Sequence, residues 1–138
     1  MATDDRLVKI VKLLLRSTKA GRLEWDSVGS NDRPRYVTSF TDASFVVYSK
    51  DNDGAHPFIV ELRNERGEIL ESIQSASIRP LRRELNEEER LERQSQREFN
   101  NILYELHNVA RRNAMNIDSF LDNLLSQLET QIGDGESG

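Results

Sequence analysis

Tyr36-Val37-Thr38-Ser39-Phe40-Thr41-Asp42-Ala43-Ser44-Phe45-Val46-Val47-Tyr48 is the stretch that decides the fold. Tyr36, Thr38 and Phe40 alternate with polar or smaller residues, the period of two that a strand with unlike faces requires. Phe45 to Tyr48 is β-branched or aromatic at every position, which suits a pleated, packed strand. Thr41-Asp42 between the two runs is short enough for a hairpin.

Working outward, the same grammar repeats. Asp51-Asn52-Asp53-Gly54 is a strong turn signal and leads into Phe58, Val60 and Leu62, which alternate with Glu61 and Arg63. Asn64-Glu65-Arg66-Gly67 turns the chain again, into Ile69, Glu71 and Ile73. On the N-terminal side, Gly29-Ser30-Asn31-Asp32 reads as a turn and Leu23-Glu24-Trp25 as a short strand. Consecutive short runs joined by tight turns predict an antiparallel meander of four to five strands.

Both flanks change to helical spacing. Leu7, Ile10, Val11, Leu14 and Leu15 share one face of a helix expected at about 4–19, with Thr3 or Asp4 as N-cap and Gly21 placed to end it. The opposite face is basic: Arg6, Lys9, Lys12, Arg16 and Lys19, spaced 3, 3, 4 and 3. Residues 75–80 form a connector. Residues 82–98 are nearly all charged or amide, and Phe99, Ile102, Leu103, Leu106 and Val109-Ala110 then form one stripe. Asn116 is placed to cap a last helix carrying Ile117, Phe120, Leu121, Leu124, Leu125, Leu128 and Ile132 on one face.

The expected class is therefore α+β: an N-terminal helix, the meander, then a long charged helix and an amphipathic helix. One domain is expected over 1–132, with the helix and meander in 3–80 and a helical part in 81–132. Residues 133–138 are expected to be a disordered tail. In this reading the 99–110 stripe is the natural partner of the last helix in an αα-hairpin, and the 82–98 segment either packs on the sheet or projects from it.

Composition narrows the function classes. A chain of 138 residues suffices for one core. It has no cysteine, which removes disulfides, thiolate metal sites and cysteine nucleophiles. No apolar run approaches the roughly 20 residues of a membrane span, and the acidic N-terminus does not resemble a secretory leader. The expected compartment is cytoplasmic. The net charge of -5 is unevenly spread: residues 1–78 are at -1, 79–112 at +1 and 113–138 at -5. The last segment has five acidic residues and no basic one.

No constellation of catalytic or metal-ligating residues assembles. Asp51-Asn52-Asp53-Gly54 lacks the terminal bidentate glutamate of a calcium loop, and strands replace its flanking helices. His56 and His107 are too few for a zinc site and read as surface histidines. Glu84, Glu87, Glu88, Glu89 and Glu92 are interleaved with Arg82, Arg83, Arg90 and Arg93, the pattern of a solvated, ion-paired helix, for example Glu89 with Arg93. No glycine-rich phosphate loop is present, and no cofactor is expected.

The expectation is a non-catalytic module that binds a protein partner or itself, as a homodimer, through Phe99, Ile102, Leu103, Leu106, Phe120, Leu121, Leu124, Leu125 and Leu128. The alternative is a nucleic-acid-binding regulator using Arg6, Lys9, Lys12, Arg16, Lys19, Arg33 and Arg35, with Tyr36 among sheet aromatics stacking on bases. The net acidity of the chain weighs against that alternative.

Overall fold

The computed structural model describes residues 5–78 and 83–137, with side chains described as far as Ile132. Thr3 and Asp4, the expected first caps, and Pro80 and Arg82 lie outside the described residues. The order is α1 (Asp5–Lys19), β1 (Asp26–Gly29), β2 (Pro34–Ser39), β3 (Ala43–Ser49), β4 (Phe58–Asn64), β5 (Ile69–Gln74), α2 (Glu87–Ala114) and α3 (Ile117–Ser137). The five strands form one antiparallel meander in sequence order. The expected α+β class and strand-by-strand connection are what the structure shows.

One face of the sheet carries the core. Alternation along the strands places Tyr36, Phe45, Val47, Phe58, Val60 and Ile73 on it, all buried. In register, Val47 lies opposite both Tyr36 and Val60. Two helices cover this face. α1 contributes Leu7, Val11 and Leu14, and α2 contributes Leu103, Leu106 and Ala110, each set at the three- and four-residue spacing of a helical stripe.

The first strand is shifted from its expected place. Leu23-Glu24-Trp25 is a connector, and β1 begins at Asp26. Trp25 is buried beside the helices rather than paired in the sheet, and its indole N–H donates to Thr18 Oγ1 at 2.9 Å. An aromatic-aliphatic triplet resembles a strand in sequence, but here tertiary burial uses it as an anchor. Gly29 closes β1 at φ +84, where a Cβ would stand 2.4 Å from the Arg33 carbonyl oxygen.

Each helix end has a local cause. Gly21, at φ +74, stops α1: its N–H donates to Thr18 O and the Arg22 N–H to Ser17 O. α2 starts where Asn86 and Glu89 satisfy each other's backbone N–H groups in a capping box. Glu89 also pairs with Arg83 at 2.5 Å, which holds its carboxyl below the usual range. Asn86→Ala should fray the first turn of α2 at a cost of about 1 kcal/mol. Faster amide exchange at residues 87–92, with the core unaffected, is the expected readout.

α2 is one continuous helix with two environments. Its first turns are polar and mostly exposed, and its second half lies on the sheet. Asn100 joins the halves to the end of the meander, accepting from the Ala76 N–H at 3.0 Å and donating to the Ala76 carbonyl at 2.7 Å.

The expected αα-hairpin is not what forms. The 99–110 stripe is taken by the sheet, with Leu103 and Leu106 at 0% exposure. The physical reason is competition for one partner: Leu103, Leu106 and Ala110 pack into the same core as Tyr36, Phe58 and Val60 of the sheet and Val11 of α1, so that stripe is not free to cover α3. Left without that partner, α3 has every described side chain from Asp118 to Ile132 exposed. Its helix continues to Ser137, past Ile132, where a disordered tail was expected.

Candidate interaction surface

The α2–α3 junction sets the direction of α3. Asn113 accepts from the Trp25 N–H at 2.7 Å and donates to the Leu23 carbonyl at 3.4 Å, tying the end of α2 to the α1–β1 connector. The chain then turns in two residues. The Met115 N–H donates to Arg111 O and the Asn116 N–H to Asn113 O, and Asn116 adopts φ +52. An ion pair between Arg112 and Asp118 spans the turn.

Beyond it, Phe120, Leu121, Leu124, Leu125, Leu128 and Ile132 repeat at helical spacing, each 41–65% exposed. A contiguous stripe of this size is unusual on the surface of a monomeric protein. Asp118, Asp122 and Glu129 run along one edge of the stripe, at about 100° of helical turn per residue. Over the described side chains the stripe is thus apolar, with acids along one border.

Of the nine residues expected at a protein interface, the structure separates two groups. Phe120, Leu121, Leu124, Leu125 and Leu128 are together on α3 and exposed. Leu103 and Leu106 are core, and Phe99 and Ile102 pack against the core from α2. The sheet consumes this stripe, so Leu103 and Leu106 are removed from the surface and Phe99 and Ile102 are left half-buried.

The residues of the nucleic-acid alternative are also divided. Lys9, Lys12 and Arg16 are exposed on α1, alongside Arg6, whereas Lys19 pairs with Glu105 at 2.7 Å. Arg33 sits in the β1–β2 turn. Arg35 lies on the sheet face opposite the helices, its guanidinium carbon 3.8 Å from the Tyr48 ring centroid and an N–H donating to Asn52 Oδ1. Tyr36 is 3% exposed, with its ring edge-on to His107. Burial raises its hydroxyl pKa, an effect the Arg111 charge partly opposes. A buried ring cannot stack on a base, and Trp25, Phe45 and Phe58 are likewise in the core. The buried aromatics are therefore separated from the basic residues, and Tyr48, under Arg35, and the exposed Phe40 are the sheet aromatics that stay accessible.

Several further titratable groups have internal partners. Asp53 accepts from the Ala55 N–H and the Ser49 hydroxyl, both at 3.0 Å, which lowers its carboxyl pKa and braces the β3–β4 turn. Tyr48 donates to Glu61 at 2.7 Å, and Arg63 pairs with the other Glu61 oxygen at 2.6 Å. Burial, then Glu61, raises the Tyr48 pKa. His56 Nδ1 lies 2.9 Å from Ser75 Oγ, and that hydroxyl accepts from the Phe58 N–H.

His107 corrects the expectation of a surface histidine. It is buried, its ring centroid 4.7 Å from that of Phe58. Burial first, and the nearby Arg111 charge second, push its pKa down to about 4. It lies beside Leu106 on the flank of α2 that meets the sheet, because α2 is covered over a wider arc than its apolar stripe alone implies.

A second feature went unread in the sequence. Ile10, Leu13 and Phe40 stay 38–48% exposed along a groove of about 390 Å³ between α1 and the β2–β3 turn. The available signal was the width of the α1 apolar face: Leu13 falls outside the arc that Leu7, Val11 and Leu14 bury.

Among the described residues no group of three or more His, Cys, Asp or Glu is placed to hold a metal ion. No described helix is long and apolar enough to cross a membrane. Comparison with family models, curated proteins and solved structures finds no match to this chain.

Proposed function

We propose that this chain is a non-catalytic protein–protein interaction or oligomerisation module that binds through the apolar face of α3. The observation that carries this reading is six large hydrophobic side chains standing exposed on one face of a helix, bordered by acids on one edge. Such a face gives a partner both an apolar contact and a charged margin that fixes orientation.

Magnitudes set what kind of partner suffices. Full burial of a large aliphatic contributes about 1.5–3 kcal/mol. Six that are roughly half exposed therefore contribute on the order of 5–10 kcal/mol when covered. Association itself costs about 4–15 kcal/mol. One α3 stripe alone gives a weak complex, and a tight one needs the charged margin or a second copy of the same contact.

Leu121→Asp with Leu125→Asp tests the reading. Both side chains are exposed, so the double variant should keep the thermal midpoint of the dilute wild-type chain while losing association at every concentration. Unfolding of the variant, or association at wild-type strength, would overturn it. Sedimentation paired with circular dichroism separates these outcomes.

A further inference from the structure

The α1 groove and the α3 stripe are two apolar surfaces of one chain, and their charged borders are opposite. The groove is lined by Ile10, Leu13, Leu23, Phe40, Phe45 and Leu62. Lys9 and Arg16, seven residues apart and exposed, lie along the α1 edge that faces away from the core. Asp122 and Glu129, also seven apart and exposed, border the α3 stripe. Viewed down a right-handed helix from its N-terminus, the acids lie clockwise of the α3 stripe and the cations counter-clockwise of the α1 groove face. Two such helices brought together in parallel place those edges on the same side. The equal spacing then pairs both charges at once.

The chain does not supply its own α3 to this groove. The Asn113, Met115 and Asn116 hydrogen bonds and the Arg112–Asp118 ion pair hold the junction in a conformation that leaves residues 118–132 exposed. A second copy with the same groove has no such constraint, and exchange in both directions covers two stripes in one association event.

Building on the interaction reading above, we infer that α3 of one copy docks parallel to α1 in the groove of a second copy, reciprocally, forming a two-fold dimer. Two surfaces on each chain are then spent on one contact repeated twice.

Complementation between variants tests it. At about 100 µM, well above a micromolar Kd, the wild type should sediment at twice the 15.9 kDa of one chain. Leu124→Asp with Leu128→Asp removes the stripe, and Leu13→Asp with Phe40→Asp removes the groove. Each double variant alone should be monomeric and keep the wild-type circular dichroism, because all four side chains are exposed. Mixed together, they retain one intact α3–groove contact and should form a heterodimer, weaker than the wild-type dimer by about tenfold or more. Lys9→Glu with Arg16→Glu should weaken the dimer, and adding Asp122→Lys with Glu129→Lys should restore it.

A groove variant that still dimerises at wild-type strength would overturn this inference while leaving α3 as the interaction surface. So would two monomeric variants that fail to complement, or a wild type that is monomeric throughout this range. Loss of folding in the stripe variant is different, since it would remove the interaction reading itself.

Discussion

Leu106→Ala should lower the unfolding free energy by about 3 kcal/mol, and Leu103→Ala by a similar amount. Both leucines are fully buried between α2 and the sheet. Truncation removes their transfer free energy and leaves a cavity that rigid strand and helix backbones cannot collapse to fill. Leu125→Ala, on α3, should change stability by less than about 0.5 kcal/mol in the monomer. All three residues belong to apolar stripes of the same helical spacing, and only the fold distinguishes them. Urea titrations at a concentration low enough to keep the chain monomeric are the direct comparison. A small domain is stable by only about 5–15 kcal/mol, so 3 kcal/mol moves the midpoint far. A large loss at Leu125, or a negligible one at Leu106, would mean that the two stripes have exchanged roles.

The second large effect is on acid stability. His107 has a folded pKa of about 4 against an ordinary value of 6.5. Between those values the unfolded chain binds a proton that the folded chain refuses. Stability therefore falls as pH falls from about 6.5 toward 4, and this contribution is fully present only above that window. From pH 7 to pH 5 the loss from this one group is about 2 kcal/mol, using 1.36 kcal/mol per pKa unit. His107→Phe removes the titration while keeping an aromatic ring against Phe58, and should flatten the stability profile over this range. If the variant declines as steeply as the wild type, His107 is not the group responsible.

Much of the fold was legible because its signals are local. The alternation at Tyr36–Phe40, the run at Phe45–Tyr48 and the turns at Asp51–Gly54 and Asn64–Gly67 each specify their own segment, and in order they define a meander. Helical spacing did the same for α1 and α3. What local pattern could not decide was competition for partners. The 99–110 stripe can face either a sheet or a helix, and nothing within it says which. Trp25 illustrates the same point at one residue, being strand-like in sequence yet buried through a hydrogen bond to Thr18, seven residues away.

The candidate surface was half legible for a related reason. Phe120 to Leu128 was correctly placed on one helical face, but exposure belongs to the whole structure. The groove at Ile10, Leu13 and Phe40 was illegible because its walls are more than twenty residues apart and meet only when α1 packs on the sheet.

The central claim is that the apolar face of α3 is uncovered in a single folded chain. Because the protein has no cysteine of its own, one introduced thiol reports its site alone. Leu124→Cys and Leu106→Cys should be labelled under native conditions, first at high dilution and then at rising protein concentration. In the dilute protein the Leu124→Cys thiol is expected to react within about tenfold of an unfolded peptide thiol. Leu106→Cys should be slower by orders of magnitude, because labelling there waits for the core to open. Rising concentration should protect the α3 thiol as the face finds its partner. A Leu124→Cys thiol that is as protected as Leu106→Cys at every dilution would contradict the account.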